Sequence, residues 1–176
     1  MRRLITVIAL CAIAFSSTGC RKKNKPRTDL VTEEPAGLVT MLHMADPRGA
    51  VQLLRGFHEV EFEQWRWTAG EFAVTLKVPK GAAQKGANLI LKLAVAEASI
   101  QKFGSVTITG KLDTTELAPE KFTLAGPGTY TREIPASALT GESVTVSFKV
   151  ANFIPASDAD QRDLGVIASL VGLDVK

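Results

Sequence analysis

The fold is decided by two stretches, FAVTLKV at residues 72–78 and SVTVSFKV at residues 143–150. In each, large apolar side chains alternate with Ala, Ser, Thr or Lys, which is the period of a strand with one buried and one solvated face. Several of the apolar positions are valines, and β-branched residues favour strands. The two stretches therefore predict antiparallel sheet with a core on one side.

Similar short stretches recur on both sides of these two, separated by turn signals at 79–81, 85–86, 126–128 and 140–142. Helical turns are expected only at 97–102 and 135–139, and no strand–helix–strand rhythm is present. Residues 38–176 are therefore predicted to form an all-β domain, an antiparallel β-sandwich or jelly roll with one or two short helical turns. The other expected strands lie at 57–62, 65–68, 88–96, 105–112, 129–134 and 164–175.

The N-terminus has the layout of a secretory signal peptide. Arg2 and Arg3 precede the apolar run LITVIALCAIAF at 4–15, and the small residues STG lead to Cys20. The run is too short to span a bilayer, which needs about 20 apolar residues. Residues 17–20 resemble a bacterial lipobox. That resemblance implies a lipoprotein signal peptide at 1–19 and an acylated Cys20 that anchors the mature protein in the membrane.

Residues 20–37 are predicted to be the lipidated cysteine and a flexible linker, because they show no apolar periodicity. The basic cluster at 21–27 is either a solvated part of that linker or a segment attracted to anionic lipid head groups. Arg21 follows the cysteine where Asp is a retention signal for the inner membrane in some bacteria. By that resemblance, we expect a lipid-anchored protein of the cell envelope, held in the outer membrane.

The composition argues against a nucleic-acid partner. The formal net charge is +3, and residues 1–19 hold two arginines and no acid, so about +1 remains without them. A nucleic-acid binder is expected to carry a strongly basic face. The cysteines are Cys11, inside the apolar run, and Cys20. The domain therefore has no cysteine for a disulfide or a thiolate metal site.

The candidate ligand-binding residues are Trp65, Trp67 and Arg66. The two tryptophans lie two positions apart, so on one strand they share a face. They either pack into the core or form a platform on which the apolar faces of sugars stack. Arg66 points the other way, towards solvent or a pairing partner.

Three aspartates near the C-terminus are candidate metal ligands: Asp158, Asp160 and Asp163. Carboxylate oxygens suit calcium, although the spacing is not that of an EF-hand. The alternatives are a solvated loop and an ion pair between Arg162 and one of these acids. Calcium is the one cofactor that the sequence suggests.

No catalytic residue is assigned. The sequence has no serine-hydrolase elbow, histidine metal motif, phosphate loop or dinucleotide fingerprint. Glu59, Glu61 and Glu63 alternate onto one face of the expected strand, whereas a glycosidase needs two carboxylates that face each other across a sugar. We therefore expect a protein that is not an enzyme.

Three stretches carry a resemblance to a group of bacterial β-sandwich modules: LLRGFH at 53–58, WRWT at 65–68 and QRDLGV at 161–166. The fold of these modules is similar to that of galactose-binding, jelly-roll carbohydrate-binding modules. With the leader, the strand pattern, the aromatic pair and the lack of catalytic motifs, we expect a non-catalytic glycan-binding or adhesion lipoprotein of the envelope. Two other classes stay open: a structural or assembly protein that binds another envelope protein through a sheet face or edge, and a glycan hydrolase.

Overall fold

The computed structural model describes residues 37–176, which form ten strands in one antiparallel sheet. The predicted all-β class is thereby confirmed. The predictions for 1–19, Cys20 and the linker up to residue 36 lie outside the described residues. The strands are β1 (Met41–His43), β2 (Leu53–Glu61), β3 (Trp65–Lys77), β4 (Ala87–Val95), β5 (Val106–Leu112), β6 (Thr115–Glu116), β7 (Glu120–Phe122), β8 (Gly126–Ile134), β9 (Ser143–Ala151) and β10 (Ile167–Val175).

The helices are short, and none in the described part of the chain is long and apolar enough to cross a membrane. The second α-helix and the second 3₁₀ turn lie where helical turns were predicted, whereas the other two were not foreseen. The α-helices are α1 (Ala82–Lys85) and α2 (Glu97–Phe103), and the 3₁₀ turns are Pro47–Gln52 and Ala136–Ala138.

The sheet curls over on itself at β3. Its strand order is β6-β5-β9-β3-β10-β4-β8, with β1 beside β10, β2 beside β3 and β7 beside β5. The first part of β3 pairs with β10, where Trp67 lies opposite Ile167, and residues 71–77 pair with β9. One strand thus joins two layers that face each other, as in a sandwich or jelly roll.

The core lies between the two layers. The alternating apolar residues of 143–150 are all buried, as predicted. Those of 72–78 are buried as far as Leu76, and Val78 is partly buried against the core. The rings of Tyr130 on β8 and Phe148 on β9 meet edge to face at 5.8 Å, which joins one layer to the other. Burial of each large apolar side chain contributes about 1.5–3 kcal/mol.

Several predicted strand boundaries are wrong. The expected turn at 126–128 lies inside β8, which begins at Gly126, and the strand expected at 57–62 is β2, which begins at Leu53 and ends at Glu61. Residues 65–68 and 72–77 belong to one continuous strand, β3, because its first part pairs with β2 and its later part with β9. The expected strand at 164–175 begins at Ile167, since Leu164 forms only an isolated bridge with Ile154.

Candidate ligand-binding surface

The turn between β2 and β3 holds two side chains in an unusual backbone conformation. Phe62 and Glu63 have φ angles of 51° and 55°, and the N–H of Gln64 donates to the carbonyl of Glu61 at 3.1 Å. This is the pattern of a type I′ hairpin turn, which normally carries Asn and Gly. The left-handed conformation costs an ordinary residue roughly 1–2 kcal/mol.

The strained turn presents an aromatic side chain to solvent. Phe62 is 78% exposed, and its ring lies 5.5 Å from that of Trp65, tilted by 40°. The ring of Trp65 meets that of Trp67 edge to face at 6.4 Å. Both tryptophans are partly buried and lie outside the buried core. We call Phe62, Trp65 and Trp67 the aromatic ladder.

Arg66 lies on the other face of β3 from the two tryptophans. Its Nε donates to the carbonyl of Met44, and its Nη1 donates to the carbonyl of His58, both at 2.8 Å. The guanidinium is partly buried and joins β2 to the end of β1. Of the three predicted ligand-binding residues, the structure therefore groups the tryptophans and gives Arg66 backbone partners elsewhere.

Arg162 supports the ladder from the loop before β10. Its Nη1 donates to Oε1 of Glu61 at 2.8 Å, while Nε and Nη2 donate to the two carboxylate oxygens of Asp160 at 3.0 and 2.9 Å. The side-chain and backbone hydrogen bonds from Arg162 lower the pKa of Asp160 to about 2. The same two carboxylates raise the pKa of Arg162.

The structure does not bring the three predicted calcium ligands together. Asp160 is engaged by Arg162, Oδ1 of Asp163 accepts from the N–H of Ala156 at 2.9 Å, and Asp158 is exposed. Across residues 37–176, no group of three His, Cys, Asp or Glu side chains is placed to hold a metal ion. The alternative of a pair with Arg162 is the one observed, with Asp160 as the acid.

The stretches 53–58, 65–68 and 161–166 contact one another where the loop before β10 packs against β2 and β3. We call this contact the loop joint. The N–H and carbonyl of Thr68 bond to Val166 and Gly165 at 2.8 and 2.6 Å, and its Oγ1 accepts from the N–H of Val166 at 3.0 Å. Nε2 of His58 donates to the carbonyl of Asp163 at 2.7 Å. A Cβ on Gly165 would lie 2.5 Å from the carbonyl oxygen of Ala69. The shared stretches thus hold the loop before β10 against the hairpin.

The sequence predicts Phe62 as the last residue of a strand and does not reveal its exposed position in the turn. The expected strands at 57–62 and 65–68 are two residues apart, which is the spacing of a tight hairpin and the signal that could have placed the turn. The same turn removes Glu63 from the strand, so that Glu59, Glu61 and Glu63 do not form the predicted row. Gly56 has a φ of 75°, and the register of β2 against β3 shifts between Arg55 and Phe57.

No protein-family model matches the chain, and no curated protein sequence matches it. Among solved structures, the chain is similar to a family GH115 4-O-methyl-α-glucuronidase with specificity for decorated arabinogalactans, at 13% identity and a TM-score of 0.42. The likeness covers 78% of this chain and 17% of that protein.

Proposed function

We propose that the chain is a membrane-anchored, non-catalytic glycan-binding lipoprotein of the cell envelope, and that the aromatic ladder is its binding surface. The observation that carries the proposal is Phe62, an aromatic ring held 78% exposed on a strained turn. Apolar surface that does not serve the core normally becomes buried. Strain of this kind collects at sites that bind ligands.

The ladder has the rigidity that recognition requires. Trp65 and Trp67 project from the longest strand of the sheet, and Arg162 ties the other side of the hairpin to the loop before β10. Aromatic rings offer large apolar faces with few torsions to freeze on binding. The C–H-lined face of a pyranose ring is a complementary partner for such a surface.

The anchor is the second part of the proposal. Cleavage before Cys20 and acylation of its thiol would tether the domain to the membrane through residues 20–37, in the outer membrane as the Arg21 position suggests. Mass measurement of the mature N-terminus tests this part. A residue 20 that carries lipid mass supports it, and an unmodified cysteine or an uncleaved leader contradicts it.

A glycan array tests the binding surface. The full chain in mild detergent is compared with Phe62→Ala, Trp65→Ala and a control, Leu124→Ala. Leu124 is 80% exposed in the loop before β8, so the control removes a similarly exposed apolar group elsewhere. We expect both ladder variants to lose at least tenfold in affinity for the array hits and the control to keep wild-type binding.

Thermal unfolding of each variant, followed by far-UV circular dichroism, separates lost binding from lost folding. Folded ladder variants that bind like wild type contradict the proposal, as does a blank array with the folded wild-type chain. If only Trp65→Ala unfolds, the binding of Phe62→Ala decides the proposal, because the exposed ring of Phe62 contributes little to the core.

One observation favours a protein partner as the second candidate. β2 pairs with β3 and with no other strand among the described residues, and it exposes Leu54 and Val60 along its length. A free sheet edge can accept a strand from another protein. Capture of a stoichiometric envelope protein by the wild-type chain, together with a blank array, would favour this function over glycan binding.

A further inference from the structure

A groove of about 340 Å³ crosses the outer face of β2, β3, β9 and β5. It is lined by none of the three ladder residues, and its volume is at the lower end of the range of ligand pockets, about 300–1,000 Å³. It is therefore a second surface, with room for one or two sugar units. The side chains that matter for its chemistry are Arg55, Glu71, Thr109, Lys111, Ser147 and Lys149.

The register of the strands explains why a groove forms here. Arg55 lies opposite Ala73, Ala73 opposite Ser147, and Ser147 opposite Lys111, so four strands contribute one row of side chains. The two small residues occupy the middle of the row, and the two long cations stand at its ends. Three strand spacings separate these ends, about 14 Å. Ala73 is fully buried, so a ligand in the groove lies over Ser147, between the two cations.

The groove carries more positive than negative charge. Lys149 lies 3.8 Å from Glu71, and Lys111 lies 3.7 Å from Glu116. Both pairs are well exposed, and such surface pairs are weak enough to exchange partners. Within residues 37–176 the guanidinium of Arg55 makes neither a hydrogen bond nor an ion pair. A planar fork of N–H donors with no partner among the described residues lies beside two exchangeable ammonium groups, an arrangement suited to a carboxylate.

The floor adds hydroxyl groups to these cations. Thr109 lies opposite Lys149 and Ser147 lies opposite Lys111 in the pairing of β5 with β9. Hydroxyls both donate and accept, which matches the hydroxyls of a sugar. The geometry points to a binding site for a carboxylated sugar, whose carboxylate meets Arg55, Lys111 and Lys149 while its hydroxyls meet Thr109 and Ser147.

Calorimetric titration of the full chain in detergent tests this site. The probes are glucuronic acid, glucose and hexaglutamate. The first two differ only in the carboxylate at C6, and the third offers carboxylates without sugar hydroxyls. We expect glucuronic acid to bind at least tenfold more tightly than glucose or the peptide. Arg55→Gln and Lys149→Gln should each weaken glucuronic acid at least tenfold, whereas Lys80→Gln, the same change in an exposed turn, should have no effect.

Several outcomes would overturn the assignment: equal binding of glucose and glucuronic acid, no binding of glucuronic acid, tighter binding of hexaglutamate, or wild-type binding by Arg55→Gln. Phe62→Ala distinguishes this site from the aromatic ladder. It should retain glucuronic acid binding in full, and loss of that binding would assign the carboxylated sugar to the ladder. Arg55 and Lys149 are exposed, and circular dichroism confirms that their variants are folded.

Discussion

Nη1 of Arg162 donates a 2.8 Å hydrogen bond to Oε1 of Glu61, a residue 101 positions earlier in the chain. Glu61 ends β2 and directly precedes Phe62, so this contact ties the loop before β10 to the turn that exposes the phenylalanine. The same guanidinium holds both carboxylate oxygens of Asp160. The side chain of Arg162 therefore holds both its own loop, through Asp160, and the end of β2, through Glu61.

Replacing Arg162 should loosen the turn without unfolding the domain. In Arg162→Gln we expect the amide of Gln64, which bonds to the carbonyl of Glu61, to exchange with deuterium at least threefold faster than in wild type. The matched control is Arg48→Gln, because Arg48 also grips an aspartate two residues before it, Asp46, and makes no long-range ion pair among the described residues. Equal exchange rates in the two variants would show that Arg162 does not hold the turn.

The Arg162–Asp160 contact should make stability depend on pH in a defined window. The pKa of Asp160 is lowered from 3.8 to about 2, so the folded state favours the ionised carboxylate. The stabilisation is therefore complete above about pH 5 and is lost progressively as the pH falls through about 4 to about 2. We expect the difference in melting temperature between wild type and Asp160→Asn to shrink across that window. A difference that stays constant from pH 7 to pH 2 would contradict the assignment.

The sequence predicts what depends on local periodicity. The strand expected at 88–96 is β4, the one expected at 143–150 is β9, and the turn at 97–102 is α2, because alternation and short helical stretches are local. The aromatic ladder could be predicted only in part. Trp65 and Trp67 share a face by spacing, whereas the turn at Phe62 carries neither of the residues that mark such turns.

Contacts between distant parts of the chain were beyond sequence reasoning. The hydrogen bond from Arg162 to Glu61 joins residues 101 positions apart, and no local pattern predicts it. The pair of Arg162 with Asp160 is local and is one of the predicted alternatives. The spacing of the three aspartates suggested convergence on a cation, but an arginine two positions after Asp160 satisfies that carboxylate first. The groove over Ser147 depends on the register of four strands, which the periodicity of single strands does not fix.

Replacing Thr68, which lies in the loop joint, should lower the stability of the domain. Its side chain is fully buried, and its Oγ1 accepts from the N–H of Val166. Thr68→Val keeps the shape but leaves that N–H without its partner, which costs about 1–3 kcal/mol. The control is Thr131→Val, on the exposed face of β8, where we expect a change within about 0.5 kcal/mol. Urea denaturation measures both, and equal stabilities would contradict the role of the hydroxyl.

Glu63→Gly should stabilise the protein, in contrast to most glycine substitutions. Glu63 has a φ of 55°, and relief of its left-handed strain, worth roughly 1–2 kcal/mol, outweighs the extra chain entropy of glycine, about 0.5–1 kcal/mol. The net gain of about 0.5–1 kcal/mol should raise the melting temperature by about 2 °C.

The control for that substitution is Glu59→Gly, an exposed position of β2 outside the turn, where glycine brings only its entropic cost and should lower the melting temperature. Because Phe62 stays in place, Glu63→Gly should leave the ladder able to bind. If the strain at this turn instead sets the position of the Phe62 ring, the stabilised variant will bind array glycans more weakly than wild type. Stability that falls in both variants would show that the turn is not strained.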